Sequence, residues 1–132
     1  MKLTEPLRII IPGEPRTKKN SQRIIQSGGR RIPIPSAAFM DYQTVCGYYL
    51  RPLDLGIDAP VNIACRFYMT TRRRVDLVNL LEAVDDILAH YGVIADDHCG
   101  IVAAHDGSAV HLDKRSPRVE ITITPIDWRW DA

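Results

Sequence analysis

Residues 72–97 read RRRVDLVNLLEAVDDILAHYGVIADD. Three arginines lead into a segment whose apolar residues Leu77, Leu80, Leu81, Val84, Ile87, Leu88 and Tyr91 recur at the three-and-four spacing of an amphipathic helix. At about 100° per residue, Asp76, Asn79, Glu82, Asp85 and Asp86 fall outside that stripe, and apolar Val78 falls there with them. Tyr91-Gly92 predicts a helix stop, glycine supplying the left-handed cap position. Val93 and Ile94 then re-enter the core, and Asp96-Asp97 follows as an acidic pair.

A helix with one apolar stripe needs a partner surface, and the flanking sequence supplies strands. Residues 7–11, LRIII, read as a short buried strand ended by Pro12-Gly13. In residues 61–69, VNIACRFYM, Val61, Ile63, Cys65, Phe67 and Met69 alternate onto one face. Residues 118–124, RVEITIT, alternate in the same way through Val119, Ile121 and Ile123. Between them, 100–104 reads as a strand and HDGS at 105–108 as a tight turn into a hairpin strand at 110–112. Ser36 suits the N-cap of a helix through about Leu50, with Phe39, Tyr42, Val45, Cys46 and Tyr49 spaced to bury one side. The expectation is an α+β fold in a single small domain over residues 1–132, order β-α-β-α-β-β, with helices packed on a mixed sheet. Residues 14–35, rich in proline, glycine and basic side chains, are expected as a long functional or mobile loop.

The chain has 132 residues, of which 45% are hydrophobic and 25% charged, enough apolar content to bury one core and too much for disorder. No apolar run reaches the roughly 18 residues of a membrane span, and the first residues lack a signal-peptide core, so a cytoplasmic location without membrane attachment is expected. Cys46, Cys65 and Cys99 are an odd number at wide spacing, which suits reduced thiols.

Net charge of +1 conceals a separation of charge along the chain. Between Val75 and Asp113 there is no Lys or Arg, yet half of the 16 acids lie there; 13 of the 17 basic residues precede Val75. Crowded carboxylates cost free energy unless a cation or distant basic residues offset them. Basic flanks around an acidic centre suit a polyanionic ligand held near a metal ion. Mg²⁺ held by two to four carboxylates can activate water, neutralise a scissile phosphate and stabilise the leaving oxygen. Each acid also has a plainer role open to it: Asp76 as an N-cap, Asp96-Asp97 as a turn.

RRRVDLVNLLEAVDDILAHYGVIADD resembles the core motif of the RusA family of Holliday junction resolvases, small and often phage-derived dimeric endonucleases that nick four-way DNA junctions symmetrically with Mg²⁺. Arg72, Arg73, Arg74, Asp76, Asn79, the helix and Asp96-Asp97 match that motif in type and spacing. The opening strand with its basic loop and the closing RVEITIT extend the resemblance more weakly over the chain. It implies a RusA-like fold, an Mg²⁺-dependent (or Mn²⁺-dependent) endodeoxyribonuclease, branched DNA as partner and a C2 homodimer, since symmetric cutting needs two sites.

This chain departs from the pattern twice. Val78 stands where the family has its second Asp, and Glu82 where it has a Lys. Residues 78 and 82 are one helical turn apart, so the longer Glu82 side chain, inclined toward the helix N-terminus, can reach the space of the absent Asp. Asp76, Glu82 and Asp97 are therefore the expected catalytic and metal-holding set, with Asp96 a further ligand and Asp86, one turn beyond Glu82, a weaker one. Lys18 or Lys19 is the candidate replacement for the missing cation. Arg72, Arg73 and Arg74 would contact DNA phosphates, and Asn79 would orient a ligand or the backbone. Three alternatives stand beside this reading: a catalytically weakened relative that binds junctions without cutting; a zinc enzyme built on His90, His98, His105 and His111, whose spacing lacks the usual paired ligands; and a purely structural or regulatory small domain, against which the concentration of acids argues.

Overall fold

The computed structural model describes residues 1–18, 23–34 and 36–131. In chain order the elements are β1 (Leu7–Pro12), β2 (Arg23–Ser27), β3 (Arg30–Ile34), α1 (Ala37–Leu50) closed by a 3₁₀ turn at Arg51–Leu53, β4 (Val61–Met69), α2 (Leu77–His90), β5 (Val102–Ala104), β6 (Ala109–Leu112) and β7 (Arg118–Pro125). Two helices and a mixed sheet make this the α+β fold expected.

The sheet is built around β4, whose apolar alternation lets it bury one whole face. On one side β4 pairs antiparallel with β7, from Val61↔Pro125 to Tyr68↔Arg118, and β7 pairs antiparallel with β1. On the other side β5 runs parallel to the first residues of β4 and β6 parallel to the last. Ile9, Ile11, Ile63, Cys65, Phe67, Val119, Ile121 and Ile123 project from the sheet into one core with Phe39, Cys46 and Leu50 of α1 and Leu80, Val84, Ile87 and Leu88 of α2. Fully buried side chains such as Phe67 and Leu80 each contribute about 2–3 kcal/mol by leaving water.

α2 buries the stripe its periodicity predicts, and Val78 stays 68% exposed. Both caps are local. Ser36 Oγ accepts from Phe39 N at 3.1 Å and Asp76 Oδ1 from Val78 N at 2.9 Å. At the far end of α2, Gly92 takes φ +73°, and Val93 N donates back to the Leu88 carbonyl at 3.0 Å, which turns Val93 and Ile94 into the core.

Three expectations need correction. The HDGS segment does not reverse the chain into a hairpin: β5 and β6 continue in the same direction along β4, as one strand interrupted at residues 105–108. Asn62 receives the interruption with both ends of its amide, Nδ2 donating to the Asp106 carbonyl at 3.0 Å and Oδ1 accepting from Asp106 N at 2.8 Å, while Ser108 Oγ accepts from Cys65 N at 3.0 Å. Side chains thus replace the missing ladder bonds and hold the chain straight. In α1, Val45 and Tyr49 are exposed, and the buried side is Phe39, Tyr42, Cys46, Gly47 and Leu50. The stripe is rotated because Gly47 lies against the Tyr91 ring, whose hydroxyl donates to the Gln43 carbonyl at 2.7 Å. Finally, the basic segment 14–35 contains the antiparallel ribbon β2–β3, turned by Gly28 and Gly29 at φ +58° and +77°. The Gly-Gly pair between two short apolar runs is the sequence signal for it.

Candidate active site

Glu82, Asp85 and Asp86 project from the side of α2 away from its buried stripe, Asp85 and Asp86 half-buried. The loop after α2 returns Asp97 to Asp86, with Asp96 beside it in the chain. Burial and then the side chains of Asp86 and Asp96 raise the Asp97 pKa above the usual carboxylate value. Like charges crowded within hydrogen-bonding reach hold a proton more tightly than an isolated carboxyl does. Asp96 Oδ1 also accepts from Asp97 N at 2.7 Å, so Asp96 takes the turn role its sequence position offers.

Lys18 supplies the counter-charge. Its Nζ lies 3.0 Å from Asp86 Oδ2 and 5.6 Å from the centre of the Phe39 ring. Tertiary contacts fix the loop that carries it: Gly13 N donates to the Pro117 carbonyl at 2.9 Å, Thr70 Oγ1 donates to Glu14 Oε2, and Pro15 and Thr17 are buried. Lys19 lies outside the described residues.

The same loop forms one wall of a cleft of about 250 Å³ whose lining includes Arg16, Thr17, Ser36, Arg73 and Arg74, floored by Met69 and Leu80. Three arginines lining a cavity of this size suit a phosphate. Arg72 is exposed beside it. Val75 lines the cleft, so Asp76, the next residue, begins α2 at its edge.

The expected set Asp76, Glu82 and Asp97 is thus distributed along α2. Asp97 contacts Asp86; Asp76 is ten residues earlier, on the order of 15 Å along the helix axis. Glu82 is exposed one turn before Asp86, and Asn79 is half-buried one turn before that. The carboxylates brought together are those of Asp86 and Asp96 on either side of Asp97, so the side chain ranked below the others by sequence spacing belongs to the group.

A second pair lies behind this group. His105 Nε2 is 2.8 Å from Asp85 Oδ2, and its Nδ1 is 2.8 Å from the Ile63 carbonyl. A carbonyl only accepts, so Nδ1 carries a proton, and the Nε2–Oδ2 contact needs a second proton on one of its two atoms. The hydrogen bond to Asp85 raises the His105 pKa; burial raises that of Asp85, and His105 opposes the rise. Asp85 Oδ1 is buried without a hydrogen-bond partner. The pair ties α2 to β4 through the interruption between β5 and β6, directly next to Asp86. Sequence reasoning missed it because residues 85 and 105 belong to separate elements; the only local hint was a histidine at a turn.

The other histidines have different neighbours. His98 Nδ1 accepts from Gly100 N at 3.0 Å, His111 stacks on Tyr68 at 5.2 Å, and His90 meets the Tyr91 ring edge-on. Cys46 and Cys65 are buried free thiols, and burial pushes Cys46 up to about 11.

For a divalent cation, the donor chemistry of Asp86, Asp96 and Asp97 fits: all are hard carboxylate oxygens, and Asp97 lies within hydrogen-bonding reach of the other two. Among the described residues no three His, Cys, Asp or Glu side chains already stand in ion-holding geometry. Among those residues no helix is long and apolar enough to cross a membrane. Comparison of the chain with protein-family models and with curated proteins finds no match.

Proposed function

We propose that the protein is an Mg²⁺-dependent structure-specific endodeoxyribonuclease that resolves four-way DNA junctions by paired phosphodiester hydrolysis, as its resemblance to the RusA family implies. One observation carries the reading beyond that resemblance: the loop bearing Arg16, Thr17 and Lys18 joins a three-arginine cleft to the carboxylates of α2, through the 3.0 Å contact between Lys18 and Asp86. A phosphate site beside a carboxylate site is what phosphodiester hydrolysis requires.

In this reading Arg16, Arg73 and Arg74 bind backbone phosphate in the cleft, with Arg72 extending the basic surface. Asp86, Asp96 and Asp97, with Glu82 one turn away, would hold the Mg²⁺ or Mn²⁺, which when bound lowers the pKa of water and offsets charge on the phosphate. Lys18 offsets the negative charge of these carboxylates before DNA arrives and, 3.0 Å from Asp86, is a cation available to the cleaved strand. Asp85 and His105 fix the rotation of α2 and so the aim of Asp86. Paired cutting requires two copies, and Met40, Val45, Tyr48 and Tyr49, exposed on α1, offer an apolar surface for a C2 homodimer. The setting is cytoplasmic DNA recombination and repair, with a prophage origin in keeping with the resemblance.

The alternative is a junction-binding module that no longer cuts. Val78, apolar and exposed where the family has an acid, together with the use of the Asp76 carboxylate as a helix cap, favours it. Nicking of a synthetic four-way junction with Mg²⁺ or Mn²⁺ separates the two. Wild type is expected to nick both strands, and Asp86→Asn and Asp97→Asn to lose about 100-fold or more, the usual scale for one group that stabilises transition-state charge. Glu82→Gln tests the replacement of the missing family acid. Full activity in both the Asp86 and Asp97 variants would refute the site. Tight binding without nicking under either metal would establish the binding module.

A further inference from the structure

The ribbon β2–β3 belongs to a two-stranded sheet of its own, separate from the sheet built on β4. Residues 24–33 are all exposed, with Ile24, Ile25 and Ile32 at 61%, 41% and 38%. An isolated two-stranded hairpin in water is marginally stable, and large β-branched residues left exposed on it call for a covering surface. Its charge says which surface. From Pro15 to Met40 the chain has no acid and six basic residues, Arg16, Lys18, Lys19, Arg23, Arg30 and Arg31. Arg30 and Arg31 have no ion-pair partner among the described residues.

The register distributes these groups on both sides. Ser27 faces Arg30 and Ile25 faces Ile32 on one face; Gln26 faces Arg31 and Ile24 faces Pro33 on the other. Each face therefore carries an arginine near the tip and an isoleucine nearer the root. A ribbon lying on a flat partner would need charge on one face only. Cations on both faces suit a slot with anionic walls on both sides, which is the shape of a duplex groove. The dimensions agree: five residues per strand give about 17 Å of length, with the two strands about 4.8 Å apart, and the major groove of about 12 Å admits a two-stranded ribbon. At the tip, Gly28 and Gly29 have nothing within 4 Å of where a Cβ would stand, so the turn is slim and clear of the rest of the protein. The root is anchored beside the phosphate cleft, since Thr17 and Ser36, which flank the ribbon in sequence, both line it.

We infer that the ribbon is a docking arm that enters a groove of a nucleic-acid duplex, Arg30 and Arg31 contacting phosphates on opposite walls, while the adjacent strand lies across the arginine cleft. This rests on the nuclease reading only for which polymer is bound. The test is fluorescence-anisotropy titration of a labelled duplex, a four-way junction and a single strand of equal length against wild type and Arg30→Ser/Arg31→Ser, at several salt concentrations without divalent metal. Removing two phosphate contacts should lower the slope of log K against log salt by about 1.8, which is about 60-fold in affinity at about 0.1 M salt. The loss should be smaller on the single strand, which has no groove. Wild-type affinity and slope in the variant would refute the arm, as would an equal loss on the single strand. A fall in sedimentation mass would assign the ribbon to contact between copies instead. Wild-type binding without nicking would sink the nuclease reading while leaving the arm measurable by the same titrations; no binding by wild type would sink both.

Discussion

Replacing His105 is the most direct test of how α2 is held. His105→Ala removes the 2.8 Å contact to Asp85 Oδ2 and the 2.8 Å hydrogen bond to the Ile63 carbonyl, and leaves the Asp85 carboxylate half-buried with Oδ1 already unpartnered. A hydrogen bond to a charged group is worth about 1.5–3 kcal/mol, and breaking a fully buried charge pair costs about 3–5 kcal/mol. The two side chains keep 24% and 15% of their exposure, so water reaches the vacated site and the lower range applies, about 2–3 kcal/mol. For a domain of this size that is a fall in Tm of about 10 °C. The pH dependence has a definite sign. Asp85 raises the folded pKa of His105 above 6.5, so the stabilisation from protonated His105 is complete below about 6.5 and disappears as pH rises through the folded pKa. Burial raises the folded pKa of Asp85 above 3.8, so its carboxylate is lost again in acid and the pair acts only between the two. Urea denaturation of wild type, His105→Ala, Asp85→Asn and the double variant at about pH 6 and about pH 9 measures the coupling. A coupling of about 1–2 kcal/mol near pH 6 that shrinks in alkali is expected. Additivity within about 0.5 kcal/mol near pH 6, or a coupling that grows in alkali, would refute the ion pair.

Asp76 offers a separation of capping from chemistry: Asp76→Asn keeps a good N-cap and should leave thermal stability nearly unchanged, whereas Asp76→Ala should cost about 1 kcal/mol. If the Asn variant nicks junctions at the wild-type rate, the carboxylate serves the helix alone. Gly92→Ala places a side chain at φ +73° and drives its Cβ into the Asp54 carboxylate, so a loss of about 1–2 kcal/mol is expected in a thermal melt. An unchanged Tm would mean that this turn relaxes without cost.

Both main helices, the buried faces of β1, β4 and β7, and the caps at Ser36, Asp76 and Gly92 are legible in the chain itself. Each follows from contacts within a few residues: a three-and-four apolar spacing, an alternation, an oxygen two or three residues before an amide. Even the ribbon β2–β3 carried its signal in Gly28-Gly29, which the density of basic residues around it obscured. The acidic character of this segment could likewise be read from the separation of charge along the chain, whereas the candidacy of Lys18 or Lys19 rested on the resemblance.

What only the tertiary structure decided is which of these residues meet. Glu82, Asp85 and Asp86 share one side of α2, and spacing alone cannot say that Asp97 returns to Asp86, that Lys18 joins them, or that Asp85 turns to His105 instead. The direction of β6 belongs to the same class, because Asp-Gly permits a tight turn but Asn62 and Ser108, bonded across to the neighbouring segment, keep the strand straight. Short-range sterics and hydrogen bonds are encoded locally and so determined the elements. The site depends on through-space packing between segments far apart in the chain, where the burial of β4 against α2 sets the distances and no local pattern records them.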